Sequence, residues 1–175
     1  MTPVSDPQTG SFTLQQLCKR LRLSYREARY VCERGWLPKG VDVDPGRGNH
    51  RRLTRHQAVW LGVVLKLKAC GVRTSQAAEI AGFAEQVKGM SRNLNWDWKF
   101  SPFDGAFDTS HRWLLEVGEM KWMRFVTDAN PSKRGLAATD WVTMGTRQVA
   151  KQAAPTIILQ IDLSALARLL RDLVE

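Results

Sequence analysis

The sequence has no apolar run approaching the roughly 20 residues that a bilayer-spanning helix needs, so no membrane span is expected. Its first residues lack a basic segment followed by an apolar stretch, so no secretory signal is expected and the expected location is the cytoplasm. Cysteine is scarce. Cys18, Cys32 and Cys70 are odd in number and widely spaced; they are expected as three reduced core thiols, the alternative being a redox or metal role. Histidine is equally scarce. His50, His56 and His111 form no His-x-x-x-His spacing with a nearby carboxylate. No glycine loop follows a strand, as nucleotide binding would require. No enzyme, resident metal or cofactor is therefore expected.

Acid is scarce in the first half. The chain carries a net charge of +9 over 175 residues, unevenly placed. Residues 1–88 hold 15 Lys and Arg against 7 Asp and Glu, whereas residues 89–175 hold 11 against 10. A solvated basic face is the plain reading of such an excess. Here it coincides with a helical pattern, which favours nucleic acid as a partner.

That pattern centres on the stretch from Ser24 to Thr54. Ser24 is placed to N-cap a helix, since its hydroxyl can accept from a free N–H in the first turn. Ala28, Val31 and Cys32 recur at the spacing of one buried helix face. The other face carries Tyr25, Arg26, Arg29 and Tyr30, groups that suit a phosphate or a base edge. Gly35 and Pro38 end this helix. A turn at Asp44-Pro45-Gly46 then leads to a basic return through Arg47, His50, Arg51 and Arg52. Upstream, Leu14, Leu17, Cys18 and Leu21 make an apolar stripe on a preceding helix, with Lys19, Arg20 and Arg22 at its end. The link between the two helices is so short that they must cross, as in a helix-turn-helix.

These residues resemble the winged helix-turn-helix of MerR-type transcription regulators. The matching pieces are Phe12-Thr13-Leu14, Leu17, Ser24, Arg29-Tyr30, Gly35 with Leu37-Pro38, and Arg51-Arg52 before the next helix cap. The resemblance covers roughly residues 12–88. It implies double-stranded DNA as the partner, the helix from Tyr25 to Arg34 in the major groove, and a wing at 39–53 on phosphates. The DNA-binding set so implied is Lys19, Arg20, Arg22, Ser24, Tyr25, Arg26, Arg29, Tyr30, Arg47, His50, Arg51 and Arg52. Phage excisionases resemble the same winged motif, so an excisionase-like architectural recombination factor is one alternative. An antitoxin-like DNA-binding protein whose C-terminal half holds a partner protein is another.

The expected fold class is α+β: an N-terminal winged helix-turn-helix, mainly α, followed by a small α+β domain with three or four strands and a C-terminal helix. Residues 1–10 are expected as a disordered tail, 11–88 as the DNA-binding domain, 89–110 as an ordered aromatic connector and 111–175 as a dimerisation or effector domain. A third helix capped by Thr54 runs to about Cys70 and is apolar nearly all round, which requires burial on more than one side. A fourth, capped at Thr74 or Ser75, runs to about Val87. Trp96, Trp98, Phe100, Phe103 and Phe107 make the connector a clasp over the core or an aromatic ligand pocket. Arg112–Val117 and Lys121–Val126 flank Gly118-Glu119 and suggest a hairpin about that glycine. Trp141–Met144 and Thr156–Ile161 suggest further strands, with a polar loop from Asp128 to Ala138. Asp162 or Ser164 then caps a last helix whose stripe is Leu163, Leu166, Leu169, Leu170 and Leu173. No long heptad helix follows residue 88. A homodimer built by the C-terminal half is expected, with a protein partner or small-molecule effector as its further ligand.

Overall fold

Thr13, Ser24 and Thr54 each begin a helix by the same device. The Thr13 hydroxyl accepts from the Gln16 N–H at 3.2 Å, and the Gln16 side chain accepts from the Thr13 N–H at 2.8 Å. Thr54 and Gln57 repeat this reciprocal capping box at 3.2 and 2.9 Å. Ser24 Oγ accepts from the Glu27 N–H at 3.3 Å. These caps open α1 (Leu14–Leu21), α2 (Tyr25–Glu33) and α3 (Arg55–Ala69). The computed structural model describes residues 11–37, 52–86, 102–128, 137–138, 142–144, 148–149 and 155–171.

The same three helices end alike. Arg22, Gly35 and Gly71 have φ of +52°, +71° and +88°. The following N–H groups, of Leu23, Trp36 and Val72, donate to the carbonyls of Cys18, Val31 and Leu67 at 2.9, 3.2 and 3.1 Å. This is the Schellman closure, which satisfies terminal carbonyls through one left-handed residue. Two of those residues are glycine. Arg22 is not, and it bears the steric penalty of a Cβ in this region, about 1 kcal/mol.

The chain divides into two units, Met1–Ala78 with Leu166–Glu175, and Glu79–Ala165. In the first, β1 (Ser11–Thr13) pairs antiparallel with β2 (Arg52–Thr54), Phe12 opposite Leu53 and Thr13 opposite Arg52. Phe12, Leu17, Leu21, Ala28, Val31, Cys32 and Leu53 are buried, and so are Ala58 to Leu65 and Leu67 of α3. An apolar coat almost all round α3 is therefore matched by burial. Cys70 departs from the core expected of it: it follows the last turn of α3 and is exposed, while Cys18 and Cys32 are buried. All three are free thiols. α4 (Thr74–Gln86) opens at Thr74 itself, because the Arg73 carbonyl already accepts from the Ala77 N–H at 2.9 Å.

The second unit is built on a sheet. After a single turn α5 (Pro102–Gly105) come β3 (Trp113–Gly118), β4 (Trp122–Thr127), β5 (Ala137–Ala138), β6 (Val142–Thr143), β7 (Gln148–Val149) and β8 (Ile158–Asp162); α6 (Leu163–Arg171) follows, and from Leu166 on it belongs to the first unit. The order is β7-β6-β4-β3-β8, with β5 also pairing β4 and every pairing antiparallel. β3 is buried throughout; β4 alternates, with Met123, Phe125 and Thr127 inward. Six strands among the described residues replace the expected three or four, and β5 lies in the stretch expected as a loop. Two-residue strands such as β5 and β7 are too short to leave a period in the sequence.

The hairpin turn does not sit on Gly118. Glu119 and Met120 take the positive φ values, +48° and +56°, and Lys121 N–H closes on the Gly118 carbonyl at 3.0 Å. Neighbours hold this pair: Glu119 N–H donates to the Ile157 carbonyl, and Met144 N–H to the Lys121 carbonyl. Of the connector, Phe103 is buried and Gly105 lies close against Trp113, whose ring would stand 3.1 Å from a Cβ placed there. Trp96, Trp98 and Phe100 lie outside the described residues. Asp162 caps α6, accepting from Ala165 N–H at 2.8 Å, while Ser164 Oγ accepts from Trp113 N–H at 2.9 Å. Leu163, Leu166 and Leu170 are buried, but Leu169, assigned to the same stripe, is exposed. The fold is thus α+β, with six helices and two antiparallel sheets among the described residues. No helix among them is long and apolar enough to cross a membrane.

Candidate nucleic-acid interface

α2 is divided sharply between its two sides. Ala28, Val31 and Cys32 have no accessible surface, whereas Tyr25, Arg26, Arg29, Tyr30 and Glu33 are exposed. At 3.6 residues per turn, Arg26, Tyr30 and Glu33 fall along the middle of the outward side. Arg29 and Tyr25 lie to one edge of them, Arg34 and Glu27 to the other. The turn at Arg22 delivers the chain to the Ser24 cap, so the exposed Lys19, Arg20 and Arg22 precede the start of this face directly. Ser24 is exposed, and its hydroxyl serves the helix by accepting from Glu27 N–H.

Two basic residues of this face, Arg29 and Arg34, are held by neighbours. Arg29 Nε donates to Glu33 Oε1 at 2.6 Å, one turn along the helix. That hydrogen bond, and then the Glu33 charge, push the Arg29 pKa further above its usual value. Glu27 is drawn to α3 by Lys68, whose Nζ stands 2.5 Å from Glu27 Oε1. The Arg34 guanidinium lies over the Tyr30 ring, 5.2 Å from its centroid, and Trp36 meets the same ring edge-on at 5.9 Å. Such a cation–π contact at an exposed site contributes ~0.5–1 kcal/mol, which biases the rotamers of both side chains.

Of the twelve residues expected to meet DNA, eight lie on the end of α1, the turn and α2. Arg52 is exposed on β2, across the ribbon from Thr13. Arg47, His50 and Arg51, with the wing from Lys39 to Arg51, lie outside the described residues. Glu33, Arg34 and Trp36 belong to this face and were missed. Their signal was present, since Arg29–Glu33 and Tyr30–Arg34 are both i, i+4 pairs, which meet on a helix surface.

Burial pushes the Cys18 thiol up to about 11, with nearby Cys32 adding to the rise. This protonated thiol is no nucleophile at neutral pH. No group of three or more His, Cys, Asp or Glu arranged to hold a metal occurs among the described residues. No protein-family model matches the sequence, and no curated protein matches it.

Proposed function

We propose that this chain is a sequence-specific transcription regulator that binds double-stranded DNA through a MerR-like winged helix-turn-helix. In this reading α1 and α2 are the helix-turn-helix, α2 enters the major groove, and the basic stretch ending at Arg52 is the wing. The observation that carries it is the outward face of α2. Tyr25, Arg26, Arg29 and Tyr30 stand exposed there over a fully buried Ala28, Val31 and Cys32. Between residues 11 and 37 six Lys and Arg face two acids, and one of those acids is committed to Lys68.

Arginine reads guanine through two donors at once, and tyrosine suits phosphate or base edges. One such helix covers only a few base pairs, so a homodimer on a pseudo-palindromic site is part of the proposal. Fluorescence anisotropy with labelled duplexes tests it. Binding should weaken steeply with salt, each neutralised phosphate adding about 0.9 to the log–log slope. Absence of duplex binding at low salt would refute it.

A further inference from the structure

Glu33 is out of place on a face that meets DNA. A carboxylate there faces phosphates of its own sign, and it sits in the middle of the outward side rather than at its rim. Glu27, the other acid of α2, is occupied by Lys68. Glu33 instead holds Arg29, Nε to Oε1, with both side chains more than half exposed. An arginine fixed at Nε has lost only one of its five donors. Its two terminal nitrogens keep their donors.

The Arg29–Glu33 pair therefore offers two donors followed by an acceptor. A G·C pair presents the complement along its major-groove edge: the N7 and O6 acceptors of guanine, then the N4 donor of cytosine. An A·T pair presents acceptor, donor, acceptor and a methyl group, which the pair cannot satisfy. We infer that Arg29 and Glu33 act as one reading unit for a G·C pair, with Glu33 a specificity-determining and positioning residue. This rests on the DNA-binding reading of α2. Glu33 has two effects in this role. It aims the guanidinium at the base edge, and its charge keeps Arg29 from gripping any passing phosphate.

The test uses the full-length protein and the duplex recovered by in-vitro selection. At the position contacted by Arg29, that duplex is compared with versions carrying A·T, or 7-deazaguanine in place of guanine. Wild type should prefer G·C, and the deaza base should weaken binding because N7 is gone. Glu33→Gln should bind non-cognate duplexes more tightly, with the salt slope raised by about one. The same change should reduce the G·C preference at least about fivefold. In an Arg29→Ala background, Glu33→Gln should alter base preference much less than it does in the presence of Arg29. Thermal melts of each variant check folding, which an exposed side chain should not affect.

An unchanged G·C preference in Glu33→Gln, with wild type binding its site, would overturn the reading unit and leave the DNA-binding proposal standing. So would additive effects of the two substitutions. If wild type bound no duplex, both would fall.

Discussion

Leu166 of α6 packs over Gly62 of α3. A Cβ at Gly62 would stand 3.7 Å from Leu166 Cδ1 and 3.0 Å from Leu21 Cδ1. The glycine thus lets three helices of one core approach closely. Gly62→Ala should lie within about 1 kcal/mol of wild type, because the helix-propensity gain offsets the crowding of a flexible leucine end. Gly62→Val adds branched bulk that Leu21 cannot escape, and should destabilise by about 1–3 kcal/mol. Urea unfolding followed by circular dichroism measures both.

Leu166 and Leu170 are 4% and 0% exposed within a single chain. They are core and already covered, so they cannot be the surface on which two copies meet. Removing a buried leucine side chain costs about 2–5 kcal/mol, and an unpaired buried carboxylate costs more. Leu166→Asp with Leu170→Asp should exceed the roughly 5–15 kcal/mol that holds a domain folded. The double variant should lose its helical signal. A folded, soluble monomer seen by sedimentation would contradict this placement.

Arg22 is the one left-handed helix terminus of the three that is not glycine. Arg22→Gly removes the Cβ conflict and should stabilise by about 0.5–1 kcal/mol, the flexibility of glycine taking back part of the gain. It also removes a cation beside the α2 face. The expected pair of results is a higher melting temperature and a shallower salt dependence of DNA binding.

The thiols separate by burial. Cys70 should react with a thiol reagent at once in the folded protein, and Cys18 and Cys32 only on unfolding. The pKa of Cys18 is raised to about 11 from 9.0. Between those values the folded state keeps a proton that the unfolded state has lost, so stability falls as pH rises. The contribution is fully present below pH 9 and is lost through pH 11. Urea midpoints of wild type should drop across that window, and those of Cys18→Ala should drop less.

The helices were legible because their signals are local. Thr13, Ser24 and Thr54 cap where a hydroxyl precedes an apolar period, so the bounds of α1, α2 and α3 fall within a residue of those read from the sequence. Cys70 and Leu169 fit an apolar period but fell outside the core: periodicity cannot tell where coverage by other elements ends. β1 was missed because Ser11 to Thr13 is too short to alternate. Sequence centres the turn on Gly118, because glycine is favoured where φ is positive, yet Glu119 and Met120 take the positive φ values. Backbone bonds from Glu119 to the Ile157 carbonyl and from Met144 to the Lys121 carbonyl flank that turn. On the candidate interface, the arginines and tyrosines were legible as a face. Glu33 carries only the i, i+4 spacing from Arg29 as its signal, and the fold adds that Glu27 is taken by Lys68 and the second acid holds Arg29.

The measurement that tests the central claim most directly is base preference in variants of α2 against one of β2. Starting from the site enriched by in-vitro selection, anisotropy would compare wild type with Arg26→Ala, Arg29→Ala and Arg52→Ala on cognate and scrambled duplexes. The α2 changes should cost ~1–3 kcal/mol on the cognate site and relax the preference. Arg52→Ala should weaken both duplexes equally and lower the salt slope by about one. Selection without enrichment, or a base preference that changes with Arg52 and not with Arg26 or Arg29, would contradict α2 as the reading helix.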